Sequence, residues 1–240
     1  MQHHENLKKE SRYGLPAADQ ILFNRHYVLG YSYYFRQAKW ALEIIDNSDI
    51  PIARIDNFRS DFRVPERFRA DKVNYKNSGL DRGHLVASAN QQESQLRNSE
   101  TFLLSNMAPQ QPDFNRKVWK QLEDAVRKLN ADPKVLETYV ISGPLFFFDQ
   151  EVKMMASKNK TGVTLPIPHA YFKSVLTERN TGSFNMWSFI IKNEESNEPI
   201  ENFRVPTSKV EKISGLYIWE TLVGSRMTGE KNKVRKMWKH

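Results

Sequence analysis

Apolar residues along the chain fall into two kinds of pattern. Continuous or alternating β-type runs occupy residues 26–35, 40–45, 138–141, 163–176 and 184–191, and their bulky content predicts strands of a central, covered sheet. One strong helical pattern lies among them: over 114–130, Val118, Leu122, Ala125, Val126 and Leu129 recur at helical spacing, with Asp113 placed as N-cap. A second helix is expected after Pro206, where Ser208 and Glu211 have the spacing of a capping box and Gly215 can close the helix in the left-handed conformation. Strands interleaved with irregular segments and few strong helices predict an α+β fold with a mixed or mainly antiparallel sheet. No repeat, low-complexity tract or Gly/Ser linker divides the chain. A single domain is therefore expected over 12–225, preceded by a polar segment at 1–11 and followed by a basic tail at 226–240.

Composition narrows the chemistry. The chain has 240 residues, 36 Lys+Arg against 28 Asp+Glu, a formal net charge of +8 and no cysteine. A chain of this mass can bury roughly 70–75% of its unfolded surface, enough for a large core without staples. The absence of cysteine removes disulfide frameworks, thiolate nucleophiles and thiolate-held zinc or iron–sulfur centres. No apolar run approaches the ~18 residues of a membrane helix, so no membrane partner is expected. The polar start, MQHHENLKKE, lacks the apolar stretch of a signal peptide and assigns no compartment. The basic excess points only weakly to a polyanion, because it is uneven. Residues 226–240 hold six basic residues against Glu230 alone, which predicts a solvated tail, whereas the eight basic residues from Arg54 to Arg82 are diluted by five acidic ones.

Candidate chemistry lies in the middle of the chain. Asp81-Arg82-Gly83-His84 is followed some twenty residues later by Ser105-Asn106-Met107-Ala108-Pro109-Gln110, and then by Asn115, Trp119 and Glu123. On a regular helix those last three, spaced four and four, spread over only about 80° and stand about 100° from the Val118–Leu122–Val126 stripe. One helix face thus enters the core while its neighbour presents an amide oxygen, an indole and a carboxylate. His3, His4, His26, His169 and His240 show no metal-ligand spacing, and none is assigned.

With these blocks, and with Arg54-Ile55-Asp56-Asn57-Phe58-Arg59 upstream, the sequence resembles the DNA/RNA non-specific endonucleases of the ββα-metal, or His-Me finger, group. That group includes secreted sugar-non-specific nucleases and the mitochondrial endonuclease G type. Weaker echoes are residues 140–144, Ile167-Pro168 with Lys173, and residues 213–216, so the likeness spans roughly 25–220. It implies a central antiparallel sheet flanked by helices and an active site built on a strand pair and the following helix. His84 matches the general base, and an imidazole suits deprotonation of water near neutral pH. Asn115 matches the only direct protein ligand of a divalent metal, expected to be Mg²⁺ with Mn²⁺ able to substitute. Glu123 matches a carboxylate that holds waters around the metal, and Arg54 a phosphate-contacting arginine. Arg82, Asn106 and Gln110 match substrate-side polar positions, and Trp119 reads as a packing element beneath the site.

Two alternatives stay open at this level. Arg54 can instead pair with Asp56 or Asp61, and Arg82 can face phosphate or pair with Asp81. One departure concerns the turn after the histidine, where the family commonly has Ala-Pro and this chain has Val86-Ala87. The resemblance implies hydrolysis of DNA or RNA with little sequence preference, leaving 5′-phosphate and 3′-hydroxyl ends. It also implies a homodimer and an inhibitor protein as partners. A protein that kept the scaffold only to bind nucleic acid would be marked by loss of His84 or Asn115, and both are present. A phosphodiesterase acting on small nucleotides would share the same site.

Overall fold

The computed structural model describes residues 8–45 and 52–239. Most of the polar N-terminal segment, with His3 and His4, and also His240, lie outside them. Among the described residues nine strands are formed: β1 Gln20–Phe23, β2 Tyr27–Ser32, β3 Gln37–Ile44, β4 Asp81–His84, β5 Met107–Gln110, β6 Val135–Leu145, β7 Ala170–Arg179, β8 Phe184–Lys192 and β9 Arg204–Val205. Five α-helices accompany them: α1 Lys72–Tyr75, α2 Gln95–Glu100, α3 Lys120–Asn130, α4 Thr207–Ser214 and α5 Ser225–Lys231. Seven strands make one antiparallel sheet in the order β1-β2-β3-β6-β7-β8-β9, and β4 pairs with β5 alone. The fold is α+β, as the sequence predicts.

The large sheet is covered on both faces, which is why its strands read as nearly continuous apolar runs. On one face Ala41, Val140 and Val175 pack with Val118, Leu122 and Val126. On the other, Leu42, Ile141, Phe172 and Leu176 pack with Val210 of α4 and Met227 of α5. The run at 163–176 yields a strand only from Ala170 onward. Pro166 and Pro168 lack the N–H a ladder needs, and the segment instead buries Val163 and Leu165 in a third, smaller cluster. Conversely β6 continues through Gly143 and Pro144. A Cβ on Gly143 would lie 2.2 Å from the Lys39 carbonyl oxygen, and pairing with β3 ends at Ser142, leaving one edge of β6 without a ladder at Pro144.

Both helix starts differ from expectation. Asp113 is not a cap: its own backbone is helical and its carboxylate pairs with Lys117 Nζ at 3.1 Å. The segment Phe114–Trp119 is π-helical, and only at Lys120 does regular α-helix begin. A π turn is wider than an α turn, so Asn115, Trp119 and Glu123 are not placed around the axis as a regular helix would place them. Trp119 is buried against Phe114 and Tyr171, whereas Asn115 and Glu123 are half-buried. In α4 the N-cap is Pro206, and Glu211 accepts from Ile218 N and Lys231 Nζ rather than closing a capping box with Ser208. Gly215 does end that helix in the left-handed conformation, at φ 69° and ψ 18°.

The C-terminal basic segment is not a solvated tail. After α5 it runs as a strap across the sheet, with Arg204 Nη1 donating to Arg235 O at 2.8 Å and Trp187 Nε1 to Lys236 O at 2.9 Å. Trp238 packs on Trp187, ring centroids 5.1 Å apart, and donates to Ala125 O in α3 at 2.9 Å. Lysines point outward while a tryptophan fastens the segment, a division that counting charges does not reveal.

Candidate active site

The β4–β5 hairpin and the helix after it form a ββα unit that carries most of the candidate residues. Its strands lie in register from Asp81 opposite Gln110 to His84 opposite Met107. Close packing requires the glycine of the motif: a Cβ on Gly83 would lie 2.0 Å from the Gln110 side-chain amide. Gln110 is thus an interior residue, fully buried, and so is Asn106. The expectation that these two amides face substrate fails, because both are used or enclosed inside. Asn106 Oδ1 accepts from Val86 N at 3.0 Å, and its Nδ2 donates to Val86 O and Thr101 O at 3.0 and 2.9 Å. That latch holds the turn after His84 where the family commonly has proline.

His84 lies between aromatic walls, its ring centroid 5.0 Å from Phe102 and 5.9 Å from Phe58. Its Nε2 is enclosed with no hydrogen-bond partner. Burial first, and then the Arg54 charge, pull the imidazole down to about 3 from its ordinary 6.5, with Asp56 opposing. At neutral pH the ring is therefore unprotonated, the form a general base needs. Arg54 donates to Asp56 Oδ1 at 2.7 Å and to Ser88 Oγ at 3.1 Å. Of the two carboxylates open to it, the pairing is with Asp56; Asp61 is held by Arg63 and Ser105.

Asp81 pairs with Arg116, not Arg82: Arg116 Nε and Nη2 reach its two oxygens at 2.9 and 2.7 Å. Arg82 instead lays its guanidinium 4.3 Å from the Phe58 ring centroid, beside a cleft of about 620 Å³ lined also by Lys72 and Lys76. The same Asp81 accepts from Asn115 Nδ2 at 2.9 Å. This bond orients the Asn115 amide and leaves Oδ1 without a hydrogen bond among the described residues. A single free amide oxygen fits a hard cation that keeps most of its water. No group of three His, Asp or Glu able to cage a metal occurs among the described residues.

Glu123 lies farther along the helix and belongs to a second group. Burial pushes its carboxyl up, while Lys173 and then Arg127 pull it down. Glu43, almost wholly buried, accepts from Asn90 Nδ2 at 2.9 Å and Gln91 Nε2 at 3.1 Å. Its carboxyl is pushed up to about 7 by burial against the opposing charge of Lys173. Sequence reasoning missed Glu43 and Arg116, weighed Asp81 only as a partner for Arg82, and gave Lys173 no role. For Glu43 and Lys173 a signal existed, a charged residue inside an apolar strand run.

Comparison with known proteins agrees with this geometry. A family profile for DNA/RNA non-specific endonucleases matches residues 8–224. Endonuclease G, mitochondrial, of Caenorhabditis elegans is 33% identical over 222 residues, covering 88% of this chain and 71% of that protein. The human protein of the same name is 34% identical over 218 residues, covering 86% and 71%. A crystal structure of the EndoG/EndoGI complex, titled as explaining EndoG inhibition, superposes with a TM-score of 0.79 at 28% identity, covering 93% of this chain and 95% of that one. Matched over residues 8–224 and a third identical to both endonuclease G proteins across most of its length, the chain belongs to the DNA/RNA non-specific endonuclease family, and the protein is a nuclease that hydrolyses nucleic acid.

Proposed function

We propose that His84 takes the proton from a water attacking phosphorus in line, so that the 3′-oxygen leaves and the ends are 5′-phosphate and 3′-hydroxyl. The observation that carries this reading is the His84 ring held between Phe58 and Phe102 with the Arg54 charge beside it, surroundings that lower the imidazole pKa below its ordinary value. Arg54 and Arg82 contact phosphate oxygens, their planar forks matching two oxygens at once. Asn115 Oδ1 holds the divalent cation, with Asp81 keeping the amide turned, and Glu123 reaches waters around it. Mg²⁺, or Mn²⁺ in its place, supplies Lewis-acid stabilisation of charge on the phosphate when bound. Lys72 and Lys76 extend the cationic lining beyond Arg82 along the sugar–phosphate backbone, which favours low sequence preference and a strong salt dependence.

Plasmid DNA, single-stranded DNA and RNA incubated with the protein, with and without EDTA, test the reading and rank the substrates. Cleavage that resists EDTA would overturn the role of the cation. His84→Ala is expected to lose at least ~10²-fold in turnover, and near-normal cleavage by that variant would overturn the role of the base. An inhibitor protein is a fitting partner, occupying the cleft beside Arg82.

A further inference from the structure

Beneath the helix that carries Glu123, a polar island interrupts an otherwise apolar sheet face. Ser142 on β6 stands directly opposite Lys173 on β7 and opposite Ala41 on β3. Glu43, two residues from Ala41 along β3, therefore shares that face. Neighbouring positions on it are Val140 and Val175, so a lysine here is an exception that needs a cause. The Lys173 side chain is 1% exposed. Its Nζ donates to Ser142 Oγ at 2.8 Å and lies 4.4 Å from the centroid of the Trp119 ring.

An ammonium taken out of water needs opposite charge close by. Burial works against this ammonium first, while two carboxylates favour it, Glu123 ahead of Glu43, with Arg127 opposing them. They are held differently. Glu43 is fixed by the amides of Asn90 and Gln91, and Asn90 is itself held by Arg127 Nη1 at 2.7 Å. Glu123 accepts no hydrogen bond among the described residues, and Lys173 is the largest opposite charge on it, ahead of Arg127, with Asp124 and Lys120 acting more weakly. Remove the ammonium, and buried Glu43 and half-buried Glu123 are left with no shared counter-ion.

We propose that Lys173 is a positioning residue for cation binding: anchored by Ser142 and Trp119, it is the shared counter-ion of Glu43 and Glu123 and holds the Glu123 carboxylate toward the cation's water shell. The inference rests on the nuclease reading above and adds to it two residues, Lys173 and Glu43, that touch neither substrate nor cation.

The test uses Mn²⁺ affinity by calorimetry together with Mg²⁺ titration of cleavage. Lys173→Met is expected to weaken Mn²⁺ binding and to raise the half-saturating Mg²⁺ by ~10- to 100-fold, the usual consequence of removing a group that supports a metal site from outside. KM for nucleic acid stays close to that of the parent, because Arg54 and Arg82 are untouched. Adding Glu43→Gln to Lys173→Met removes the carboxylate left opposing Glu123 and is expected to restore most of the lost affinity, a coupling that independent sites do not show. If Lys173→Met fails to fold, Ser142→Ala removes the anchoring hydroxyl and carries the same test at ~3- to 10-fold. Unchanged Mn²⁺ affinity in Lys173→Met, or in Ser142→Ala if that variant is used, overturns the proposal, as does a double variant no better than the single. A parent protein that binds no Mn²⁺ overturns the cation reading itself, which separates the two failures.

Discussion

The environment that keeps the His84 imidazole unprotonated at neutral pH is also a stability device. Because burial and Arg54 lower its pKa in the folded state to about 3, the unfolded chain binds the extra proton first as pH falls. The stability this residue contributes is therefore complete above about 6.5, its ordinary value, and is lost progressively as pH falls toward 3. Arg54→Ala removes the second-largest cause of the shift, so the His84 pKa followed by NMR should rise while kcat falls at least ~10-fold. A titration unchanged from the parent would separate Arg54 from the imidazole. At this scale the expected roles come from several blocks taken together, since a histidine after Asp-Arg-Gly is by itself more often a packed residue than a catalyst. The same resemblance misleads for Asn106 and Gln110, both buried, because an amide serves a buried turn as well as a phosphate, and only the fold decides which way it points.

Between residues and molecule, the strands were easier to read than the helix starts. Covered strands announce themselves as apolar runs, whereas the prolines at 166 and 168 trimmed one such run for lack of N–H groups. The π-helical start at Phe114–Trp119 has no residue code, and it matters because it decides which side chains face the site. In the hairpin, Gly83→Ala drives a Cβ into the Gln110 amide and should cost about 1–3 kcal/mol in urea unfolding, as overpacking does. Combining it with Gln110→Ala should recover part of that loss.

Over the whole molecule, net charge proved a poor guide and the two-faced sheet a good one. The same C-terminal residues that inflate the charge also close the structure, with Trp238 bridging β8 and α3. Trp238→Ala should destabilise the protein by about 2–3 kcal/mol, since the indole is only partly buried. For a chain of this size that is roughly 5–10 °C in Tm, readable by calorimetry, and an unchanged Tm would mean the strap is ornamental. The strap is fastened in a particular way. Arg204 and Trp187 both hold it by its main-chain carbonyls, at Arg235 and Lys236, and both donors lie on the body of the protein. What the strap displays outward is thereby uncoupled from what keeps it in place. Lys236 and Lys239 can be exchanged for neutral or acidic residues without loosening either fastening, so the surface potential of this nuclease can drift or be engineered along one ribbon while its architecture stays fixed.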